Sequence, residues 1–265
     1  MRPGRSCLAA LMIWLAAGPV PAASVEAEGF VEWFSGKPGK AWYISNFVIQ
    51  HPSFVTAWRR YGVRALPKGV DLKLHPDPKE EKPFAGAEIQ RRGLFHHGRY
   101  EVVMRPARGS GIVSAFFTYT GPSFCTPHDE IDIEFLGRDT TKIWLNRFVE
   151  GRKLPGQWID LGFDAAEAPR LYSFDWHEDG ITWAVEGREL LRIDAKDHDI
   201  PTLPQKIFLN IWAGNPSQAP WTGPTPADAA GRAHYLCVSF QPAGQPAGVT
   251  GAQCSDDWQA GKDDR

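Results

Sequence analysis

The stretch "DEIDIEFL", Asp129 to Leu136, leaves this part of the chain few options. Ile131, Ile133 and Phe135 alternate with Glu130, Asp132 and Glu134. This period of two suits a β-strand with one buried face, because successive strand side chains point to opposite sides. The apolar three can bury and fix the register, which holds the acids rigidly on the other face. Same-face Cα atoms lie about 6.6 Å apart, close enough for neighbouring carboxylates to interact strongly. Such a trio does not ionise fully at low cost, so at least one member is expected to keep its proton at neutral pH. A merely solvated acidic face has no need of three like charges in register.

Short alternating runs recur along the chain, among them "GRYEVVMRPA", "GIVSAFFTYTG", "TKIWLNRF", "RLYSFDW", "GITWAVEGREL", "KIFLNIWAG" and "AHYLCVSFQ", separated by Gly, Pro and Asp. No internal repeat and no convincing amphipathic helix interrupts them, so the expected class is an all-β sandwich. The "HEDG" between Trp176 and Ile181 predicts a hairpin, with Asp179-Gly180 supplying positive φ. The 265 residues, net charge of -2 and 23% charged residues suit one globular domain, placed at residues 24–240. A pI near 6.4 lacks the basic excess that a nucleic-acid partner requires.

Residues 1–23 read as a secretory signal peptide: Arg2 and Arg5, an apolar run from Leu8 to Ala17, then small residues to Ala23. The run is too short to span a bilayer, which takes roughly 20 apolar residues. A secreted protein, extracellular or periplasmic, is therefore expected, likewise without a membrane span. Cys7 would leave with the signal, and Cys125, Cys237 and Cys254 then allow one disulfide and one leftover thiol, with three pairings open. Cys237 with Cys254 is favoured as the closest pair in sequence. No spacing reads as a metal site. The Pro- and Gly-rich piece at 241–265 is expected to be a loose tail, tied down only if Cys254 is bonded.

Eleven tryptophans suggest carbohydrate as well as core packing, since sugar faces stack on aromatic rings while hydroxyls take polar partners. Trp42, Trp58, Trp144, Trp212 and Trp221 lie outside the best strand cores. The acidic strand supplies what hydrolysis with retention needs, a charged carboxylate as nucleophile and a protonated one as acid, roughly 5 to 5.5 Å apart. Glu130 and Glu134 start about 13 Å apart at Cα on a straight strand, so a concave sheet and inward-leaning side chains must close the gap.

"GIVSAFFTYTGPS", "DEIDIEFLG" and "DTTK" followed by Asn146 resemble the bacterial lichenases, mixed-linkage β-1,3-1,4-glucanases of glycoside hydrolase family 16, and the related exopolysaccharide-depolymerising glycanases. The likeness runs from about Trp58 to Gly223. It implies a β-jelly-roll of two curved antiparallel sheets with a substrate cleft on the concave face. By motif position Glu130 would be the nucleophile, Asp132 its assistant and Glu134 the general acid/base, with no cofactor in catalysis. A structural calcium ion is allowed, its ligands unassigned. Glu88 in "GAEIQRR", Phe117 and Tyr119 in "FFTYT", and Asn146, Asn210 and Trp212 fall on cleft positions.

Some positions depart from the lichenase pattern. His128 stands where those enzymes have Trp, as in plant xyloglucan-modifying members, and is grouped with the substrate contacts. Gln90 replaces an arginine, Phe148 a tyrosine and Val55 an asparagine, while the lichenase cysteines fall near Thr56 and Ala87. No extra residue separates Ile133 from Glu134, unlike the bulged β-1,3-glucanases. Machinery retained with altered recognition points to the same reaction on a different polymer. The expected activity is endo-hydrolysis of a β-1,3-1,4-glucan or a β-linked, succinoglycan-like bacterial exopolysaccharide by a monomer. The alternatives are transglycosylation on β-glucan or xyloglucan and a non-catalytic carbohydrate-binding sandwich.

Overall fold

The computed structural model describes residues 28–79, 81–244 and 253–258; the expected signal peptide lies outside them. The fold is an all-β jelly roll of two curved sheets packed face to face. The inner, concave sheet runs in the order Gln157–Asp160, Lys142–Val149, Asp129–Leu136, Ile112–Thr120, Lys206–Ala213, Phe84–Arg91 and Trp42–Ile44. The outer sheet runs Arg188–Asp194, Gly180–Val185, Arg170–His177, Gly98–Arg105 and Gly231–Pro242, with Val70–Pro76 and Phe30–Trp33 sharing its far edge. His75 and Pro76 leave the outer sheet to pair with Ala85 and Phe84 of the inner one, which joins the layers at that edge. Pairing between the strands described is antiparallel apart from Thr56–Trp58, which lies parallel to Phe84, Ala85 and Gly86; the isolated Ser35–Gly69 bridge is also parallel.

The core fills the space between the layers, as the period of two requires. Ile131, Ile133 and Phe135 are each at most 1% exposed and belong to one apolar cluster with Tyr172, Phe174, Trp176 and Trp183. Phe135 meets Tyr172 edge-on, 4.9 Å between ring centroids. Full burial of such side chains stabilises by about 1.5–3 kcal/mol each. A one-residue slip would swap these three for the acids, so the core fixes which face the carboxylates occupy.

The expected hairpin forms, with His177 opposite Gly180. Gly180 takes φ 158°, and a Cβ there would sit 2.3 Å from the Ile193 carbonyl oxygen. At the C-terminal end Cys237 and Cys254 are bonded, while Trp258 packs on the cluster of Val103, Leu171 and Leu236 and donates its indole N–H to Glu186 at 3.1 Å. The tail is therefore anchored at residues 253–258 rather than loose there. The leftover thiol is not found: no described cysteine is free, Cys125 included. Trp42 and Trp58, both 4% exposed, prove to be core residues.

Candidate active site

Strand register arranges the concave face in rows that cross the sheet. Gln90, Phe208, Phe117, Asp132 and Asn146 stand side by side in one row. Glu88, Asn210, Ala115, Glu134, Trp144 and Trp158 form the next. On the other side of Asp132 lie Lys206, Tyr119, Glu130 and Phe148. Pairing passes through the acidic strand without a register shift, so the three acids stay on one face with no bulge between Ile133 and Glu134.

The acids are far less solvated than an ordinary charged face. Asp132 is 3% exposed and the Glu130 side chain 18%, the remainder of each being walled by the sheet and its neighbours. Burial is the largest influence on Glu130; a hydrogen bond with Asp132 and the Lys153 ammonium work against it, the Glu134 charge adds to it, and the carboxyl is pushed up to about 8. Asp132 is held well above the usual carboxylate range by burial first and the Glu130 charge second, with Asn146 working the other way. Glu134 is likewise raised, by burial and then by Asp132. The hydrogen bond with Asp132 lowers Glu130 and raises Asp132, so Asp132 keeps the proton and Glu130 is the member of that pair that ionises first.

His128 sits on Glu130: its Nε2 is 2.5 Å from Oε2, and its ring stacks on Phe148 at 4.5 Å with Tyr119 edge-on at 5.1 Å. Burial lowers the His128 pKa, which favours the neutral ring, and the tautomer with hydrogen on Nε2 donates to Glu130. His128 thus contacts the acid trio itself, which spacing alone did not reveal.

On one side of the acids lies a polar network. Glu88, 5% exposed, accepts from Ser45 Oγ at 2.7 Å and Gln90 Nε2 at 2.9 Å, and burial raises its pKa. Asn210 stands directly opposite Glu88, while Phe117 and Phe208 stack at 4.9 Å. On the other side is a tryptophan group, with Trp144 5.1 Å from Trp158 and 6.2 Å from Trp221, which is in turn 6.1 Å from Trp212. Gly156 lies against Trp144, whose ring a Cβ there would overlap at 2.3 Å. Asp132 Oδ2, Asn146 Oδ1, Asn210 Oδ1 and the indole nitrogens of Trp144 and Trp221 have no hydrogen-bond partner among the described residues. Buried polar atoms of that kind suit sugar hydroxyls.

The three acids, Glu88, Phe117, Tyr119, His128, Asn146 and Asn210 thus meet on the concave face, with Trp212 at its margin, whereas Trp42 and Trp58 lie in the core. Lys153, Trp158, Phe208, Ser45 and Tyr43 were missed. Lys153 depends on a two-residue strand, Arg152–Lys153, that folds back on Phe148 and Val149 through Glu150 and Gly151, both at positive φ; the Glu-Gly pair was the available signal. Where the lichenase cysteines would stand, Thr56 Oγ1 instead accepts the Ala213 N–H at 2.9 Å. Among the described residues no three His, Cys, Asp or Glu side chains gather as a metal-ion group, and no helix is long and apolar enough to cross a membrane.

Known proteins carry the same design. A solved prokaryotic beta-1,3-1,4-glucanase (lichenase) from a mouse hindgut metagenome superposes with a TM-score of 0.77 at 39% identity, covering 82% of this chain and all of that one. The beta-glucanase of Bacillus subtilis (strain 168) is 40% identical over 193 residues, 72% of this chain and 78% of that protein. The xylanase/beta-glucanase of Ruminococcus flavefaciens is 37% identical over 214 residues, and the chain spans 24% of its length. The sequence model for glycosyl hydrolases family 16 matches residues 51–234. With that match over most of its length, and three acids on one strand facing the cleft, the chain belongs to glycosyl hydrolases family 16.

Proposed function

We propose that the protein is an endo-β-glucanase that cleaves internal bonds of a β-1,3-1,4-glucan or a β-linked exopolysaccharide with retention, and that it acts outside the cytoplasm. The observation that carries the reading is one strand that aims Glu130, Asp132 and Glu134 at the cleft, where among the described residues the trio's one ion-pair contact is His128 with Glu130. The names of the relatives, beta-glucanase and lichenase, point to the same polymer class. Glu130 attacks the anomeric carbon while Glu134 gives its proton to the leaving oxygen; Glu134 then takes a proton from water, which releases the sugar from Glu130. Asp132 holds a proton against Glu130, and His128 donates to Glu130 when it ionises, which offsets part of the burial that otherwise keeps the nucleophile protonated.

The test is reducing-end release from barley mixed-linkage glucan, succinoglycan, xyloglucan and laminarin in parallel, with Glu130→Gln as control and product lengths recorded. Shortened barley glucan or succinoglycan is expected, with none from the control. Products longer than the substrate would mean transglycosylation, and no change in any polymer would overturn the proposal.

A further inference from the structure

At the edge of the inner sheet, past the polar network, a recess of about 240 Å³ opens beside Tyr43 and is lined by Lys37, Lys40, Arg60 and Arg92. All four cations are exposed, and none of them forms an ion pair among the described residues. Glu32, whose carboxylate reaches toward Gly39, is engaged by Arg91 at 3.5 Å. Arg92 is placed with some care: its guanidinium lies 5.7 Å from the Tyr43 ring centroid, and its Nε donates to the Lys40 carbonyl at 3.1 Å. A fifth cation, Lys206, is close enough that its pKa is lowered by burial and then by the Arg92 charge. Like charges gathered without counter-charges repel, and an incoming anion relieves that repulsion.

The recess is in line with the reaction. Tyr43 stands opposite Gln90, Gln90 opposite Phe208, Phe208 opposite Phe117, and Phe117 opposite Asp132. Four strand spacings of about 4.8 Å put Tyr43 roughly 19 Å from Asp132, a distance that a few linked sugars span. An aromatic ring to stack a sugar, ringed by guanidinium and ammonium groups, matches a sugar that carries a carboxylate.

We propose that this recess is a distal subsite for an anionic sugar, a carboxylate-bearing unit of the β-linked polymer, on the side of the acids away from Trp144 and Trp158. The natural substrate is then an acidic polysaccharide. The proposal rests on the glucanase reading for the reaction at the acids, but not for binding in the recess.

The experiment uses Glu130→Gln as a non-cleaving binder, with a neutral mixed-linkage β-glucan hexasaccharide and the same oligosaccharide oxidised at C6 to carboxylates. Calorimetry should show the oxidised probe binding about tenfold more tightly at low salt, a preference that about 0.5 M NaCl screens away. Adding Lys37→Glu and Lys40→Glu should remove the preference and leave the neutral probe unaffected. Equal affinity for the two probes in the parent, or equal loss of both in the variant, would overturn the subsite. A charge preference in a protein whose wild type cleaves none of the four polymers would instead sink the glucanase reading and leave the subsite standing.

Discussion

Asp129 and Asp132 lie on one strand, 0% and 3% exposed, yet their surroundings are opposite. Asp129 faces away from the cleft, and its carboxylate accepts backbone N–H groups of Glu150 at 2.8 Å, Thr202 at 2.9 Å and Leu203 at 3.1 Å. It braces two loops behind the acidic strand. Asp132 faces the cleft between two other acids, with Oδ2 unpartnered. Glu101 of the outer sheet repeats the first pattern, being wholly buried and accepting from Arg99 Nε at 2.8 Å, Ser239 Oγ at 3.1 Å and the Ser255 N–H at 3.0 Å. Burial therefore does not mark a carboxylate for chemistry in this fold. The partner set does: donors in sufficient number make a strut, and like charges make a reactive group.

The largest test of that contrast is the proposed nucleophile. Glu130→Ala is expected to lower kcat by at least about 10⁴-fold, with added azide restoring turnover as an α-glycosyl azide. A β product, or activity near wild type, would remove Glu130 from the role. The same Asp→Asn exchange at the two buried aspartates should next act with opposite sign on stability. Asp129→Asn turns an amide against a backbone donor and weakens the remaining bonds, which should cost about 2–3 kcal/mol in denaturant unfolding with no change in the pH profile of catalysis. A fully stable Asp129→Asn would end its role as a brace.

Asp132→Asn should behave the other way. The unfolded aspartate ionises near pH 4, whereas the folded one keeps its proton to much higher pH, because burial and then Glu130 raise it. Its stabilising share is complete below the unfolded pKa and is lost as pH rises toward the folded one, by up to about 1.4 kcal/mol per pH unit. The gain in Tm on Asp132→Asn should thus be larger at pH 8 than at pH 5. At the same time kcat should fall about 10²-fold, a typical loss for a misplaced proton-transfer partner. A gain independent of pH would place the Asp132 proton outside the network.

The acidic strand was legible because its signal is local: a period of two with apolar residues on one side decides strand, face and register together. The brace at Asp129 was not, since its donors come from residues 150 and 202–203, which only the folded topology brings near. Glu88 and Asn210 were placed by resemblance, but their meeting is a cross-strand fact between distant segments. Lys153 was hidden by a strand of two residues, too short for any periodicity to show. The Cys237–Cys254 bond was favoured on nearness alone; the burial of both cysteines with Trp258, Leu236 and Leu171 in one apolar cluster left no periodic signal in the sequence.

The unbroken ladder through the acidic strand has a consequence for how the enzyme changes. With no bulge to adjust locally, the distance between Glu130 and Glu134 is set by the curvature of the whole inner sheet, which acts as a ruler with one degree of freedom. Core residues behind it, such as Ile131 and Phe116, then tune the chemistry without touching a sugar: a repacking that flattens the sheet spreads the acids, and one that tightens it draws them together. Drift in this lineage should appear first as altered rate rather than altered fold.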